Sequence, residues 1–335
     1  MSRIVTIGGG TGAPIIIQAL LLAGYSNLSC IAASMDSGGK TGIIRSDERD
    51  QVIAISDVLR NLISLIGSTN HKNNIKAFTD LISFIDGRQR NLGYTIYYAL
   101  LEMYQNDFIK AQNHLENLLG IRFDGTVIPV TTDSTNICFE TKSGTVFRGE
   151  HELDKQSLSK NDIVDIWLDP DVPTTPQATT AIENADYVIY CPGSLYGSVI
   201  ANFLPVGIKE ALTASKAQKI LITNLVSNRN QTHHFTPEKY LKVFRHFTGL
   251  EKPFDIIISP HVSQKAFEKR FPKIAKSYAL EHSHFIGWSK KELKNITNKD
   301  IKVLTSDIIS ITPHLNRLRH DPKKLSRVFK SLISQ

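Results

Sequence analysis

The sequence has few cysteines, and the spacing between them is not that of a metal-binding motif. Cys30, Cys138 and Cys191 are the only three in 335 residues, and they lie far apart. An odd number of separated cysteines is typical of a reducing compartment. We therefore predict a cytoplasmic protein whose three thiols are buried as small hydrophobic groups.

Long hydrophobic runs are also missing. A helix that spans a membrane needs about 20 consecutive apolar residues, whereas the longest candidate here, residues 13–23, is short and contains Gln18. Glycines at residues 8–10 interrupt the apolar core that a signal peptide needs. Neither a membrane span nor a cleaved leader is expected.

Acidic residues become scarce after residue 215. Residues 216–335 hold 23 Lys and Arg against 9 Asp and Glu, while residues 1–215 hold 16 against 23. A basic segment can face an anionic ligand, a membrane surface or nucleic acid, or it can simply be solvated. Because helix-turn-helix, zinc-finger and ribonucleoprotein motifs are absent from the sequence, nucleic acid is not an expected partner. A nucleophile elbow and a Ser-His-Asp order are absent too.

Short apolar, β-branched segments alternate with helical patterns along most of the chain. This alternation is typical of an α/β fold, and we predict a Rossmann-like, doubly wound, mostly parallel sheet in one large domain, residues 1–335. Residues 61–120 are predicted to form a helical insert, and residues 121–170 a segment that contains a small β-hairpin. The predicted strands are residues 4–7, 28–33, 126–130, 163–168, 187–190, 219–222, 255–258 and 302–304. The predicted helices are residues 14–23, 58–66, 75–85, 95–104, 108–119 and 200–214, with a final helix that begins at Asp321-Pro322.

A glycine-rich loop separates the first predicted strand from the first predicted helix. Residues 8, 10 and 13 match the G-x-G-x-x-G/A spacing of nucleotide-binding loops. Glycines let peptide N–H groups approach a phosphate, and the N-terminus of the following helix adds unpaired donors and a positive dipole end. We therefore predict that Gly9, Gly10, Thr11 and Gly12 bind phosphate. The alternatives are a tight turn that serves only packing and an NAD-dependent oxidoreductase, which rests on this loop alone.

Two further loops rich in small and hydroxyl-bearing residues follow predicted strands. Residues 34–47 (SMDSGGKTGIIRSD) place Gly38 and Gly39 beside Asp36, and a carboxylate beside a phosphate is a common Mg²⁺ ligand. The carboxyl ends of parallel strands lie at one edge of a sheet, so the loops should converge on a ligand with several phosphates, or with a phosphate and a sugar. The predicted binding residues of the third loop are Gly193, Ser194, Leu195, Tyr196 and Ser198.

Taken together, these loops resemble the CofD family, which groups 2-phospho-L-lactate transferase with the YvcK-like gluconeogenesis-factor proteins. The similarity extends over roughly residues 3–332, and residues 36–42 (DSGGKTG) are closer to the YvcK-like branch. The matching positions are Gly9–Gly12, Asp36–Gly39 with Gly42 and Arg45, Asp57 with Leu62, Pro192–Tyr196 with Ser198 and Asn202, Asn224 with Thr232, and Arg319–Asp321.

For the YvcK-like branch, the resemblance implies a protein that binds a nucleoside diphosphate such as a UDP-sugar and supports gluconeogenic growth and normal cell shape. Asn224 and Arg319 would contact the periphery of that ligand. The output would be regulatory, through a protein partner, and a homo-oligomer stays open. For the other branch, the resemblance implies a Mg²⁺-dependent transferase of a phospholactyl group, with Asp36 and Asp57 as catalytic carboxylates and Asp36 as a metal ligand.

Some positions depart from the family pattern. Ser37 replaces the second aspartate of its loop, and Gln231 stands where an acidic residue is expected. Fewer carboxylates around a diphosphate weaken metal-assisted transfer more than they weaken binding, so the sequence favours a binding protein over an enzyme.

Two other candidates have structural alternatives. Asp57 opens a predicted helix, where an N-cap role is as good an interpretation as a ligand-facing one. His233 and His234 are adjacent, and because neighbouring side chains of a strand point to opposite faces, we predict surface residues that do not share a metal.

Overall fold

Seven short strands, most of them buried, form a parallel sheet at the centre of the molecule. The computed structural model describes residues 2–35, 53–67, 72–87, 91–155, 158, 161–228, 230–312 and 316–333. The strands of these residues are β1 (Ile4–Ile7), β2 (Leu28–Ala32), β3 (Gly125–Pro129), β4 (Asn136–Thr141), β5 (Val146–Arg148), β6 (Ile163–Asp169), β7 (Tyr187–Tyr190), β8 (Gln218–Ile222), β9 (Ile256–Pro260), β10 (Lys302–Ser306), β11 (Ile309–Thr312) and β12 (Arg317–His320). The central sheet has the order β10-β9-β8-β7-β1-β2-β3, and all its neighbours are parallel. The predicted α/β fold with a mostly parallel sheet is confirmed.

The strand order reverses direction between β1 and β7. From β1 the chain continues outward to β2 and β3, whereas β7 lies on the other side of β1 and is followed by β8, β9 and β10. The paired ends of β1 and β7 are Ile7 and Tyr190, so the loops that follow them start side by side. A ligand of an open α/β sheet binds at such a switch point, outside the carboxyl ends of the strands.

Helices connect the strands and cover the sheet. The first of them packs against the last, and the Tyr25 hydroxyl donates a hydrogen bond of 2.7 Å to the carbonyl of Ile333. The N-terminus of the chain is thereby fastened to its C-terminal helix. The helices of the described residues are α1 (Ala13–Ala23), α2 (Ser56–Ser64), α3 (Lys72–Ser83), α4 (Leu92–Met103), α5 (Phe108–Leu119), α6 (Pro176–Glu183), α7 (Ile208–Ala214), α8 (Pro237–Thr248), α9 (Gln264–Arg270), α10 (Pro272–Leu280), α11 (Lys290–Thr297) and α12 (Pro322–Leu332).

Local signals fix several helix ends. Helices α2 to α5 all lie between β2 and β3. Helix α5 begins after Asp107, whose carboxylate accepts the Lys110 N–H, and ends at Gly120, which has a φ of 63°. Helix α12 begins after Asp321, whose side chain accepts two N–H groups of the first turn. Both are ordinary capping arrangements, which is why the sequence predicted these helices closely.

The prediction of one helix over residues 200–214 is wrong. The chain forms a π-turn at Leu195–Val199 and a 3₁₀ turn at Ile200–Phe203, and only then begins α7. Pro205 cannot donate a helical hydrogen bond, and Gly207 has a φ of 106°, so a continuous helix cannot pass through them.

A small antiparallel sheet stands apart from the central one. Strands β4 and β5 form the predicted hairpin, and β6 pairs antiparallel with the other edge of β4. The sequence predicted β6 as a strand, but this strand belongs to the three-stranded sheet β5-β4-β6 rather than to the central one.

The structure bears on two predictions, those for the three cysteines and for membrane-spanning helices. All three cysteines are free and buried, as expected. No helix in the described part of the chain combines the length and apolar character needed to cross a membrane.

Candidate functional site

A pocket of about 690 Å³ opens where the chain leaves the carboxyl ends of β1, β7 and β8. The loops after β1 and β7 supply one part of its lining, the loop after β8 a second, and the segment around β12 a third. Its size is within the range of pockets that hold small ligands and cofactors. The sequence-predicted site residues that line it are Gly10, Thr11, Gly12, Gly193, Ser194, Ser198, Asn224 and Arg319.

The loop after β1 is held so close to its neighbours that side chains would not fit. A Cβ on Gly12 would lie 1.9 Å from the Pro192 carbonyl oxygen, and a Cβ on Gly9 would lie 1.7 Å from the Asp57 Oδ2. Gly10 has a φ of 64°, in the left-handed region that favours glycine. Gly12 therefore allows the close approach of the loop after β7, and Gly9 that of α2, while Gly10 and Gly12 expose peptide groups at the pocket.

Asp57 lies behind the glycine loop. It is in the first turn of α2, its side chain is 7% exposed, and its Oδ1 is 3.0 Å from Nη1 of Arg60. It is not the N-cap residue, since Ser56 already belongs to the helix. The carboxylate thus packs against Gly9 from the side of α2, and Asp57 is not among the residues that line the pocket.

The loop after β7 is fixed by two side-chain amides. Asn224 accepts a hydrogen bond from the Gly193 N–H at 3.0 Å and donates one to the Gly193 carbonyl at 2.9 Å. Gln231 Oε1 accepts the Ser194 hydroxyl at 3.0 Å and the Tyr196 N–H at 3.1 Å. The two side-chain amides thereby fix the backbone conformation of residues 193–196 at the pocket.

The side chains of Leu195 and Tyr196 belong to the core. Leu195 is 3% exposed and Tyr196 is 2% exposed, and the Tyr196 ring meets Phe247 edge-on at 6.0 Å. Neither residue lines the pocket, although both were predicted as binding residues. The removal of their apolar surface from water stabilises the π-turn to which both residues belong.

Arg319 presents a positive charge to the pocket. It is exposed, and its Nη1 donates to the Leu318 carbonyl at 3.0 Å. Among the described residues no carboxylate forms an ion pair with it. An arginine without an acidic partner is well suited to pair with a phosphate.

Three predicted site residues, Asp36, Gly38 and Gly39, lie outside the described residues. The pocket is therefore described without the part of the second glycine loop that contains them. Thr11 and Ser194, from the other two loops, line the same pocket, as the sequence predicted.

Comparison with known proteins decides the family. A family model described as 2-phospho-L-lactate transferase CofD matches residues 4–309. The chain belongs to the CofD family. The gluconeogenesis factor of Listeria innocua is 31% identical to it over 253 residues, which cover 74% of this chain and 74% of that protein. The gluconeogenesis factor of Bacillus subtilis is 24% identical over 342 residues, which cover 99% of this chain and 98% of that protein.

The fold of this CofD-family chain recurs in a solved structure. A crystal structure of a member of the UPF0052 family from Bacillus halodurans superposes with a TM-score of 0.80 at 23% identity, and the superposition covers 98% of both chains. The family resemblance expected from the loops is thus confirmed.

Several pocket residues of this CofD-family chain were not predicted from its sequence. Arg317 pairs with Glu281 through both guanidinium ends, with Nη1 2.6 Å from Oε2, and its guanidinium lies 5.4 Å from the centre of the Tyr278 ring. The hydrogen bond from Arg317 holds the pKa of Glu281 below its usual range against the effect of desolvation, and the Arg317 charge adds to this lowering. Glu150 and Asp154, from a short 3₁₀ turn, also line the pocket. No local motif marks these residues, because distant segments bring them together.

His320 is a buried titratable group in the lining of the pocket. It is 6% exposed, and its Nε2 donates to the Thr223 carbonyl at 3.0 Å. Burial lowers the pKa of His320 from 6.5 to about 4, although the bond to Thr223 acts in the opposite direction. The imidazole is therefore neutral at neutral pH.

We expect His320 to make the protein less stable in acid. Its unfolded form takes up a proton below about pH 6.5, while the folded form does so only near pH 4, so the stabilisation is complete above the unfolded pKa and is lost as pH falls toward the folded one. The free energy of unfolding should decrease by up to about 3 kcal/mol over that interval. Urea titrations between about pH 7 and about pH 5 should show a flatter dependence for His320→Gln. An equal slope in both proteins would contradict this.

The prediction that His233 and His234 lie apart is wrong. They lie in a turn rather than a strand, His234 has a φ of 62°, and their ring centres are 3.8 Å apart. His284 joins them, and its Nδ1 lies 3.2 Å from the His233 Nδ1 and 2.9 Å from the Ser227 hydroxyl. Burial, and next the two neighbouring imidazoles, lower the pKa of His284 to about 4.

Proposed function

We propose that this CofD-family chain binds a nucleoside diphosphate, with a UDP-sugar as the first candidate, in the pocket at the switch point. The observation that carries the proposal is the meeting of two loops of nearly bare peptide, Gly10–Gly12 and Gly193–Ser194, on one pocket. Peptide N–H groups at the start of α1 are suited to a phosphate. Arg319 adds a cation to the same pocket.

We further propose a regulatory output in the cytoplasm. The relatives in Listeria innocua and Bacillus subtilis are called gluconeogenesis factors, which supports a role in carbon metabolism for this chain. In the proposal, the bound nucleotide selects a state of the loops that a protein partner recognises, with consequences for cell shape. A homo-oligomer is compatible with this mode of action.

Mg²⁺ is part of the same proposal. Carboxylate oxygens beside a diphosphate are the ligands that this ion prefers. Glu150 and Asp154 line the pocket and are of that kind. The ion would neutralise charge on the diphosphate, and the two carboxylates would hold it. Asp57 is less suited, because its carboxylate faces Gly9 and Arg60.

Calorimetric titration with UDP-N-acetylglucosamine tests the proposal, and Arg319→Glu sharpens it. We expect the charge reversal to weaken binding about 30-fold, or ~2 kcal/mol, since a cation near the diphosphate becomes an anion. Arg327→Glu is the matched control, because Arg327 is an exposed residue of α12 outside the pocket lining and the change in net charge is the same. Equal losses in both variants would contradict a specific contact.

A transferase is the second candidate, since the matching family model is described as 2-phospho-L-lactate transferase. Binding of guanosine-diphosphate compounds without heat from any UDP-sugar, together with Mg²⁺-dependent turnover of a donor, would favour it. Asp57→Asn then discriminates. If turnover is lost and affinity kept, the carboxylate acts in the reaction, whereas a loss of folding assigns it to the support of the glycine loop.

A further inference from the structure

Three imidazoles from two distant segments converge beside the pocket. His233 and His234 come from the turn before α8, and His284 comes from the segment after α10. One ring nitrogen of each lies within 4.8 Å of those of the other two. The two segments are joined at this point by the backbone, since Ser227 N–H donates to the His284 carbonyl at 2.9 Å.

The spacing of the rings is that of metal ligands. Two nitrogens bound to a tetrahedral Zn²⁺ at about 2.05 Å are about 3.3 Å apart, and the Nδ1 atoms of His233 and His284 are 3.2 Å apart. The third nitrogen, that of His234, lies within 4.8 Å of the other two, so the rings would have to close around a bound ion. Protonated rings would repel one another at these distances, whereas neutral rings present lone pairs to a shared cation.

The geometry points to a transition-metal site, which we infer to be a Zn²⁺ site, formed by His233, His234 and His284. Neutral imidazole is the ligand type that Zn²⁺ shares with few other abundant cations, and three histidines leave a fourth position for water or a ligand. The Ser227 hydroxyl lies 2.9 Å from His284 Nδ1, the nitrogen that also lies 3.2 Å from His233 Nδ1, so a bound metal would replace this hydrogen bond at that nitrogen. The inference does not depend on the proposed nucleotide.

The position of the site gives the metal a structural consequence. Ser227 and Ser283 both line the pocket, and His284 follows Ser283 directly. A metal held by the three rings would tie the loop after β8 to the segment after α10, and so would fix one wall of the pocket. Removal of the metal should therefore loosen that wall without removing the glycine loops.

Zinc binding is measured on the full chain carrying no polyhistidine tag and stripped with a chelator. We expect one Zn²⁺ per chain in competition with a chromogenic chelator, and a tetrahedral visible spectrum when Co²⁺ replaces it. His234→Ala, at an exposed ring, should weaken zinc binding at least about 10-fold, because a ligand is worth at least as much as an outer partner. His284→Gln should do the same.

His246→Ala is the matched control, since His246 is another exposed histidine, whose one hydrogen bond in the described structure is to the Val164 carbonyl and whose ring contacts Phe247. It should leave zinc binding unchanged. Thermal unfolding of the stripped proteins verifies that each variant folds. Unchanged affinity in His234→Ala and His284→Gln, an equal loss in His246→Ala, or no stoichiometric zinc in the wild-type chain would each overturn the inference.

Discussion

Gly12→Ala should destabilise the protein and abolish nucleotide binding. A Cβ at this position would lie 1.9 Å from the Pro192 carbonyl oxygen and 2.7 Å from its carbon, and both atoms are backbone, so no side-chain rotation relieves the contact. Gly12 has a φ of −85° and a ψ of −46°, which alanine adopts freely. The expected effect is therefore steric, because the added methyl group pushes the loops after β1 and β7 apart. We expect the free energy of unfolding to fall by about 3 kcal/mol, the upper end of the usual cost of overpacking.

Gly87→Ala is the matched control for this substitution. In the part of the chain that the structure describes, no atom lies within 4 Å of a Cβ built there, and its φ is not in the left-handed region. We expect a change below about 0.5 kcal/mol and unaltered affinity. Urea denaturation and calorimetric titration of both variants give the comparison. If Gly12→Ala folds with wild-type stability and binds UDP-sugars normally, the two loops do not form the site together.

The position of the pocket could be predicted from sequence because it depends on local signals and on one general rule. The loop GGGTG between a strand and a helix, and the loop PGS after another strand, are both visible in the chain. The rule that parallel strands end at one edge then places them together. No side-chain contact had to be known for this step.

Apart from Arg319, which the family resemblance marked, the third side of the pocket could not be predicted, since it depends on pairings between distant residues. Strands β11 and β12 are four residues each, and although residues 309–312 (ISIT) alternate apolar and polar side chains, nothing local indicates which strand they pair with. Arg317 meets Glu281 across 36 positions of sequence. Only the folded chain brings these residues to the glycine loops.

Two histidines show a different kind of failure. The prediction for His233 and His234 assumed extended backbone, in which neighbours diverge. The left-handed conformation of His234 turns its ring to the same side instead. Histidine adopts that conformation more often than most residues, and this was the one available signal.

Asn224 has a role in the structure that the family resemblance did not imply. It was expected to contact the periphery of a ligand, and it does line the pocket, but both ends of its amide are bonded to the Gly193 peptide. A family pattern marks a position as important without saying whether its side chain faces the ligand or the loop that holds the ligand.

Asn224→Ala should therefore act on the ligand through the loop. The substitution leaves the N–H and the carbonyl of Gly193 without their partner, and hydrogen-bonding groups abandoned in a partly buried place cost about 1–3 kcal/mol. The free energy of unfolding should fall by about 2 kcal/mol, and nucleotide affinity should fall at least about tenfold because the loop after β7 is no longer fixed before binding.

Asn184→Ala provides the comparison, because Asn184 also donates to a backbone carbonyl, that of Thr180 at 2.9 Å, but in an exposed place at the end of α6. It should change stability by less than about 0.5 kcal/mol.

Asn224→Asp separates positioning from ligand contact. It keeps an acceptor for the Gly193 N–H but loses the donor to the Gly193 carbonyl and sets an anionic oxygen against it, so only part of the stability should return, while the added negative charge should oppose a diphosphate. If Asn224→Ala loses affinity with no loss of stability, the amide contacts the ligand directly and its hydrogen bonds to Gly193 are secondary.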